Sequence, residues 1–156
     1  MINKQIREAL KLISKELKNK KIRWVLIGST SLALQGVKVK PKDIDILTDK
    51  EGAIKMNEIL KKYETQPVKF GRSEMFESYW GKFMVKGIRI EVMGNLKEKI
   101  NGKWSQLLNR LKSHEIIKLE SLRIPVSPLK EQLMGYENLR RKKDLSKIKE
   151  IKQALG

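Results

Sequence analysis

Apolar positions recur with two different periods along this chain, and the change of period divides it. Ile2, Ile6, Leu10, Ile13 and Leu17 stand three or four apart, which predicts an amphipathic helix with a lysine-rich outer face. Residues 23–27 predict a short apolar strand, and Thr30 to Gln35 a short helix closed by Gly36. A basic connector with Pro41 leads into a second strand over residues 43–47. Asp49 stands where it can cap a third helix reaching about Tyr63, with Ile54, Ile59 and Leu60 facing inward. Beyond Pro67 the period shortens to two. Residues 68–70 suit a short strand, and residues 79–85 and 88–93 suit two strands joined at Lys86-Gly87. Residues 96–112 predict a helix broken at Asn101-Gly102, and residues 115–119 and 122–126 a small hairpin. Ser127-Pro128 are in the preferred order for a helix start, reaching about Arg141, and Asp144 suits the cap of a last helix ending near Leu155.

These elements add up to an α/β (α+β) chain: a small mixed β-sheet flanked by helices, with further helices at the C-terminus. A length of 156 residues, without repeats or a linker, predicts a single domain over residues 1–156. Its core falls at about residues 20–95 and its C-terminal helical part at about residues 127–156.

Composition narrows the function classes. The apolar runs are four or five residues, far short of a membrane span, and the N-terminus lacks signal-peptide features. The lack of cysteine excludes disulfides and thiolate metal sites and says nothing else about compartment; a cytoplasmic protein is the plain expectation. Lys and Arg number 35 against 18 Asp and Glu, a formal charge of +17. Such a surface favours polyanions, nucleic acid first, and helps any site that must hold a nucleoside triphosphate.

The chemistry concentrates in residues 25–47. An apolar strand runs into Gly28-Ser29, and the next strand carries Asp43 and Asp45 two residues apart. Alternation places both acids on one face while Ile44 and Ile46 take the other. Glu91 sits between Ile90 and Val92 in a similar apolar-acid-apolar strand; if the two strands are neighbours, three carboxylates meet. Like charges about 4 Å apart cost on the order of 4 kcal/mol per pair at an effective dielectric near 20. Mg²⁺ removes that cost. Glycine at position 28 lets a phosphate approach the backbone, the first N–H groups of the following helix point toward it, and Ser29 and Thr30 add hydroxyls. Neither a P-loop ending nor a G-x-G-x-x-G run is present.

The order of apolar strand, Gly-Ser, thirteen residues, Asp-x-Asp and a later strand acid resembles the nucleotidyltransferase superfamily of the DNA polymerase beta type. The small size is similar to its minimal and toxin-like branches. The resemblance spans about residues 22–93, with a weaker echo in the basic turn Arg140 to Asp144. It implies transfer of a nucleoside monophosphate from a nucleoside triphosphate, with two Mg²⁺ ions held by Asp43, Asp45 and Glu91. It further implies Glu91 as general base, and Gly28, Ser29, Thr30 and Lys42 as nucleotide contacts. Related sequences often carry Arg and Thr before the first acid, where this chain has Val39-Lys40-Pro41-Lys42, and Asp where it has Glu91. An RNA 3′ end, a protein hydroxyl and a small antibiotic are all acceptors that similar folds use, and the sequence leaves the choice open.

Plainer readings exist beside this one. Asp43 and Asp45 could face solvent on a half-exposed strand, Ser29 and Thr30 could be helix caps, and Arg89 could simply pair with Glu91. A protein that keeps the fold but not the turnover would use its charge on RNA or a partner protein. A component of a toxin–antitoxin pair is the remaining alternative.

Overall fold

The computed structural model describes residues 2–106 and 111–156. Helix α1 (Lys4–Leu17) starts at Asn3, whose side chain accepts from the Ile6 N–H at 2.9 Å. It buries Ile6, Ala9, Leu10, Ile13 and Leu17 along one stripe. Strand β1 (Trp24–Ile27) passes directly into α2 (Gly28–Leu34), and β2 (Ile44–Thr48) returns beside β1 in antiparallel sense. Helix α3 (Lys50–Ile59) is capped by Asp49, whose carboxylate accepts from Gly52 N–H at 2.7 Å. Its inward residues are Ala53 and Met56, with Leu60 just beyond. Ile54, expected inward, is 44% exposed, one position off the buried stripe.

The chain then alternates. Strands β3 (Glu64–Arg72), β4 (Phe76–Val85), β5 (Ile88–Ile100) and β6 (Lys103–Gln106) follow in antiparallel succession. Lys86 and Gly87 both have positive φ, at 54° and 78°, the geometry of a two-residue hairpin turn. Strands β7 (Glu115–Leu119) and β8 (Leu122–Val126) form the small hairpin expected from the sequence. The sheet runs β3-β4-β5-β2-β1-β8-β7, with β6 paired to the far end of β5. Two neighbour pairs are parallel, β2 with β5 and β1 with β8.

The helix expected over residues 96–112 is not formed over 96–106. Asn101 and Gly102 take φ of 52° and 77°, so the pair turns a hairpin instead of interrupting a helix, and β4 supplies a partner out to Phe76 opposite Glu98. Of the rest of that expectation, residues 107–110 lie outside the described residues, and Leu111 and Lys112 are not α-helical. Within β5 a bulge falls at Asn95 (φ 52°), where the pairing jumps from Tyr79–Gly94 to Glu77–Lys97. A bulge reverses which alternate residues face each side. Leu96 and Glu98 therefore join the face that carries Glu91 and Met93.

One face of the sheet packs Leu26, Ile44, Ile46, Ile90 and Val92 with α1 and α3 in the main core. The opposite face gathers Val25, Leu47, Leu96 and Leu111, with Ile27, Phe76 and Met93 half-buried beside them. Helices α4 (Leu129–Leu139) and α5 (Leu145–Leu155) close on α2 through Leu32, Val37, Ile151, Leu133 and Tyr136. Both expected caps differ from the sequence reading. Ser127 donates its backbone N–H to Leu26 O at 3.0 Å, extending the β1–β8 pairing, so Pro128 stands at the cap position and the Ser127 hydroxyl makes no cap bond. Asp144, buried, accepts from Arg141 Nε at 2.7 Å and makes no side-chain cap to α5. Among the described residues no helix is long and apolar enough to cross a membrane.

Candidate active site

Strand register brings the acids together. β2 and β5 are parallel neighbours with Ile44 opposite Ile90 and Asp45 opposite Glu91. Since Ile44 and Ile90 face the main core, Asp45 and Glu91 face the other way, side by side. Asp43 precedes Ile44 and lies beside Arg89. There Arg89 Nη2 donates to Asp43 Oδ2 at 2.8 Å, while its Nε lies 3.8 Å from Glu91 Oε1. Pairing of Arg89 with Glu91, the plainer reading, is thus the weaker of its two contacts.

Asp45 carries the strain of this grouping. Burial first, then the charges of Glu91 and Asp43, push its carboxyl up to about 7, and Lys147 and Arg89 oppose the rise without cancelling it. As the side chains stand, no three acids among the described residues are close enough to ligate one ion. Arg89 bridges the outer two. The donor set nevertheless fits a hard divalent cation, because it is carboxylate oxygen throughout and a cation would offset the burial and repulsion that disfavour the ionised form of Asp45. Ligation by Asp43 requires its bond to Arg89 to open.

The Gly28-Ser29 turn adjoins these acids. Gly28 has φ +75°, and a Cβ there would lie 2.5 Å from Asp45 Oδ2. Only glycine lets the carboxylate rest on the turn. Its N–H, expected to be open to a phosphate, donates instead to Gln132 Oε1 at 3.0 Å. Thr30 also departs from expectation: it is fully buried and its hydroxyl donates to Asp43 O at 2.6 Å. It ties the helix start to the acid strand and has no proton to offer a ligand. Ser29 is half-buried and Lys42 exposed; neither lines the cavity beside the acids.

That cavity, about 540 Å³, takes in Gly28, Asp45 and Glu91 and extends under the C-terminal helices. Its apolar wall includes Phe76, Trp80, Met93, Leu96 and Tyr136. Arg141, Lys143 and Lys147 bring positive charge to it. Arg141 lies over the Phe76 ring at 5.5 Å and Lys147 over Tyr136 at 5.4 Å. Deeper in, Glu77 is held below the ordinary carboxylate range by its hydrogen bond to Arg72 Nε at 2.7 Å, and Lys97 pairs with it at 3.4 Å.

Two features escaped the sequence. Gln132 is buried and joins three segments, accepting from Gly28 N–H while its amide donates to Ser31 Oγ at 2.9 Å and Ser127 O at 3.0 Å. Nothing in a polar residue on a moderately amphipathic helix announces such a role. The cavity wall from Phe76 to Glu98 was hidden by reading residues 96–112 as helix. The Asn-Gly hairpin signal was the clue.

With this geometry in view, the likenesses to known proteins are informative. Residues 9–151 match the family model for aminoglycoside-2''-adenylyltransferase. The structure is similar to TM1012 of Thermotoga maritima, a nucleotidyltransferase by assignment, with TM-score 0.86 and 33% identity over 96% of this chain and 93% of that one. It is similar in fold to the lincosamide antibiotic adenylyltransferase LnuA with lincomycin bound, at TM-score 0.63 and 16% identity over 94% and 96% of the two chains. The antibiotic-resistance factor ANT(2'')-Ia gives TM-score 0.61 and 9% identity over 97% and 84%. Curated proteins yield no match to the sequence.

Proposed function

The chain belongs to the aminoglycoside-2''-adenylyltransferase family, within the nucleotidyltransferase superfamily, and we propose that it transfers adenylate from ATP to a hydroxyl of a small acceptor held in the cavity. The observation that carries this reading is the pairing of Asp45 with Glu91 on adjacent strands, in a cavity that also holds Gly28 and the basic side chains of the C-terminal segment. Asp43, Asp45 and Glu91 would hold Mg²⁺, which when bound neutralises phosphate charge and makes an acceptor hydroxyl easier to deprotonate.

The chain's own groups do the rest. Arg141, Lys143 and Lys147 offer cations to the triphosphate, and the Ser29 hydroxyl stands at the turn. The acceptor oxygen attacks the α-phosphorus as the bond from that phosphorus to the pyrophosphate oxygen breaks. Glu91 takes the hydroxyl proton, and pyrophosphate leaves toward the basic side chains. Little covalent work falls to the protein; fixing the two reactants in line accounts for most of the gain.

The acceptor follows from the cavity. A space of about 540 Å³ with an aromatic wall suits a drug-sized molecule. Aminoglycosides, named for the family, and lincosamides, named for a structural relative, are the first compounds to try. Labelled ATP, GTP, CTP and UTP would be incubated with Mg²⁺ and either these compounds or total RNA. Label should pass from ATP to a small acceptor, and Glu91→Gln should slow transfer by roughly 10²- to 10⁴-fold. Label on RNA alone would refute the acceptor, and an undiminished Glu91→Gln rate would refute the site.

A further inference from the structure

This inference rests on the reading of Asp43, Asp45 and Glu91 as a cation-binding centre. Arg89 is placed among them by the backbone itself: it lies two residues before Glu91 on the same face of β5, and one register step before the Ile44–Ile90 pair, where Asp43 sits. Its guanidinium reaches both outer acids, at 2.8 Å and 3.8 Å. With Asp45 ionised, three carboxylates against one guanidinium leave roughly two negative charges, a deficit one divalent ion fills. The side chain is 47% exposed, and its cross-strand neighbour Met84 is 45% exposed, so packing does not lock it in place.

We propose that Arg89 is the internal counter-ion of the acid centre, holding Asp43 in the metal-free protein, and that a divalent cation must displace it from Asp43 in order to bind. Cation affinity is then set by a competition inside the chain. Removing the guanidinium frees Asp43 for the ion and adds a third uncompensated charge, so metal binds more tightly while the metal-free fold loses an ion pair. Lysine is a poor substitute, because a compact ammonium cannot bridge two carboxylates as a planar fork does.

The test is calorimetric titration of Mn²⁺, at a pH above the Asp45 value, into the wild type, Arg89→Ala, Arg89→Met and Asp45→Asn, with Tm measured with and without Mn²⁺. Both Arg89 variants should bind Mn²⁺ roughly two- to five-fold more tightly, the scale of a half-exposed ion pair. Their Tm should fall without the ion and recover with it. Arg89→Met keeps the stem, so agreement between the two variants separates charge from packing. If the wild type binds Mn²⁺ and Asp45→Asn does not, yet both Arg89 variants bind no more tightly than wild type, the counter-ion role is overturned and the acid centre stands. Absence of Mn²⁺ binding in the wild type and the Arg89 variants alike overturns both.

Discussion

Asp45 touches every part of the candidate chemistry: it rests on Gly28, lies opposite Glu91 and feels the charges of Lys147 and Arg89. The folded protein holds its proton more tightly than an unfolded chain does, since about 7 lies above the ordinary 3.8. Stability tied to that proton is fully present below the ordinary value and is lost as pH rises through about 7. Thermal unfolding of the metal-free protein across this window should show wild type losing Tm relative to Asp45→Asn, with the difference levelling off above it. Parallel pH profiles for the two proteins would show that Asp45 is not the strained carboxyl described above. Gly28 belongs to the same balance: any side chain there meets the Asp45 oxygen, so the turn and the acid constrain each other.

Among the elements, α4 decides how the two halves of the cavity meet. Gln132 ties it to the α2 turn and to the end of β8 through three hydrogen bonds in a buried setting. Gln132→Met keeps the volume but strands the Gly28 N–H, while the Ser127 carbonyl keeps its bond from Gln35 Nε2 at 2.9 Å. It should reduce unfolding free energy in urea by about 1 to 3 kcal/mol, and a loss below about 0.5 kcal/mol would contradict the linking role. The elements themselves were legible where the signal is local. The stripe of α1, the Asp49 cap, the Lys86-Gly87 turn and the β7–β8 hairpin follow from spacing and turn chemistry alone. Asn101-Gly102 was misread because residues 96–112 carry apolar spacings that suit a helix, and only pairing with β4 decides for a strand. The Ser127 and Asp144 caps failed for a related reason, since β1 claims the backbone of one and Arg141 the carboxylate of the other.

At the scale of the whole molecule, strand alternation is enough to put Asp43 with Asp45 and to isolate Glu91 among apolar neighbours. Their meeting depends on β2 lying beside β5, a tertiary fact that the resemblance implied and spacing could not. Spacing put Arg89 beside Glu91, but it could not show the closer bond of that guanidinium to Asp43, the bond that removes Thr30 from ligand contact, or the turn of Leu96 and Glu98 toward the cavity at the Asn95 bulge. The +17 charge remains outside this cavity for the most part, and a cation-rich exterior is compatible with a small acceptor in a half-open cavity. At the centre of the proposed chemistry stands the binding of a metal-bound triphosphate between the acids and the basic side chains of the C-terminal segment. Calorimetric titration of α,β-methylene-ATP, whose scissile linkage cannot be broken, tests it most directly. Wild type should bind the analogue in the presence of Mg²⁺ and lose most of that affinity without it, and Asp45→Asn should not bind under either condition. Equal binding with and without Mg²⁺, or undiminished binding by Asp45→Asn, would contradict the account.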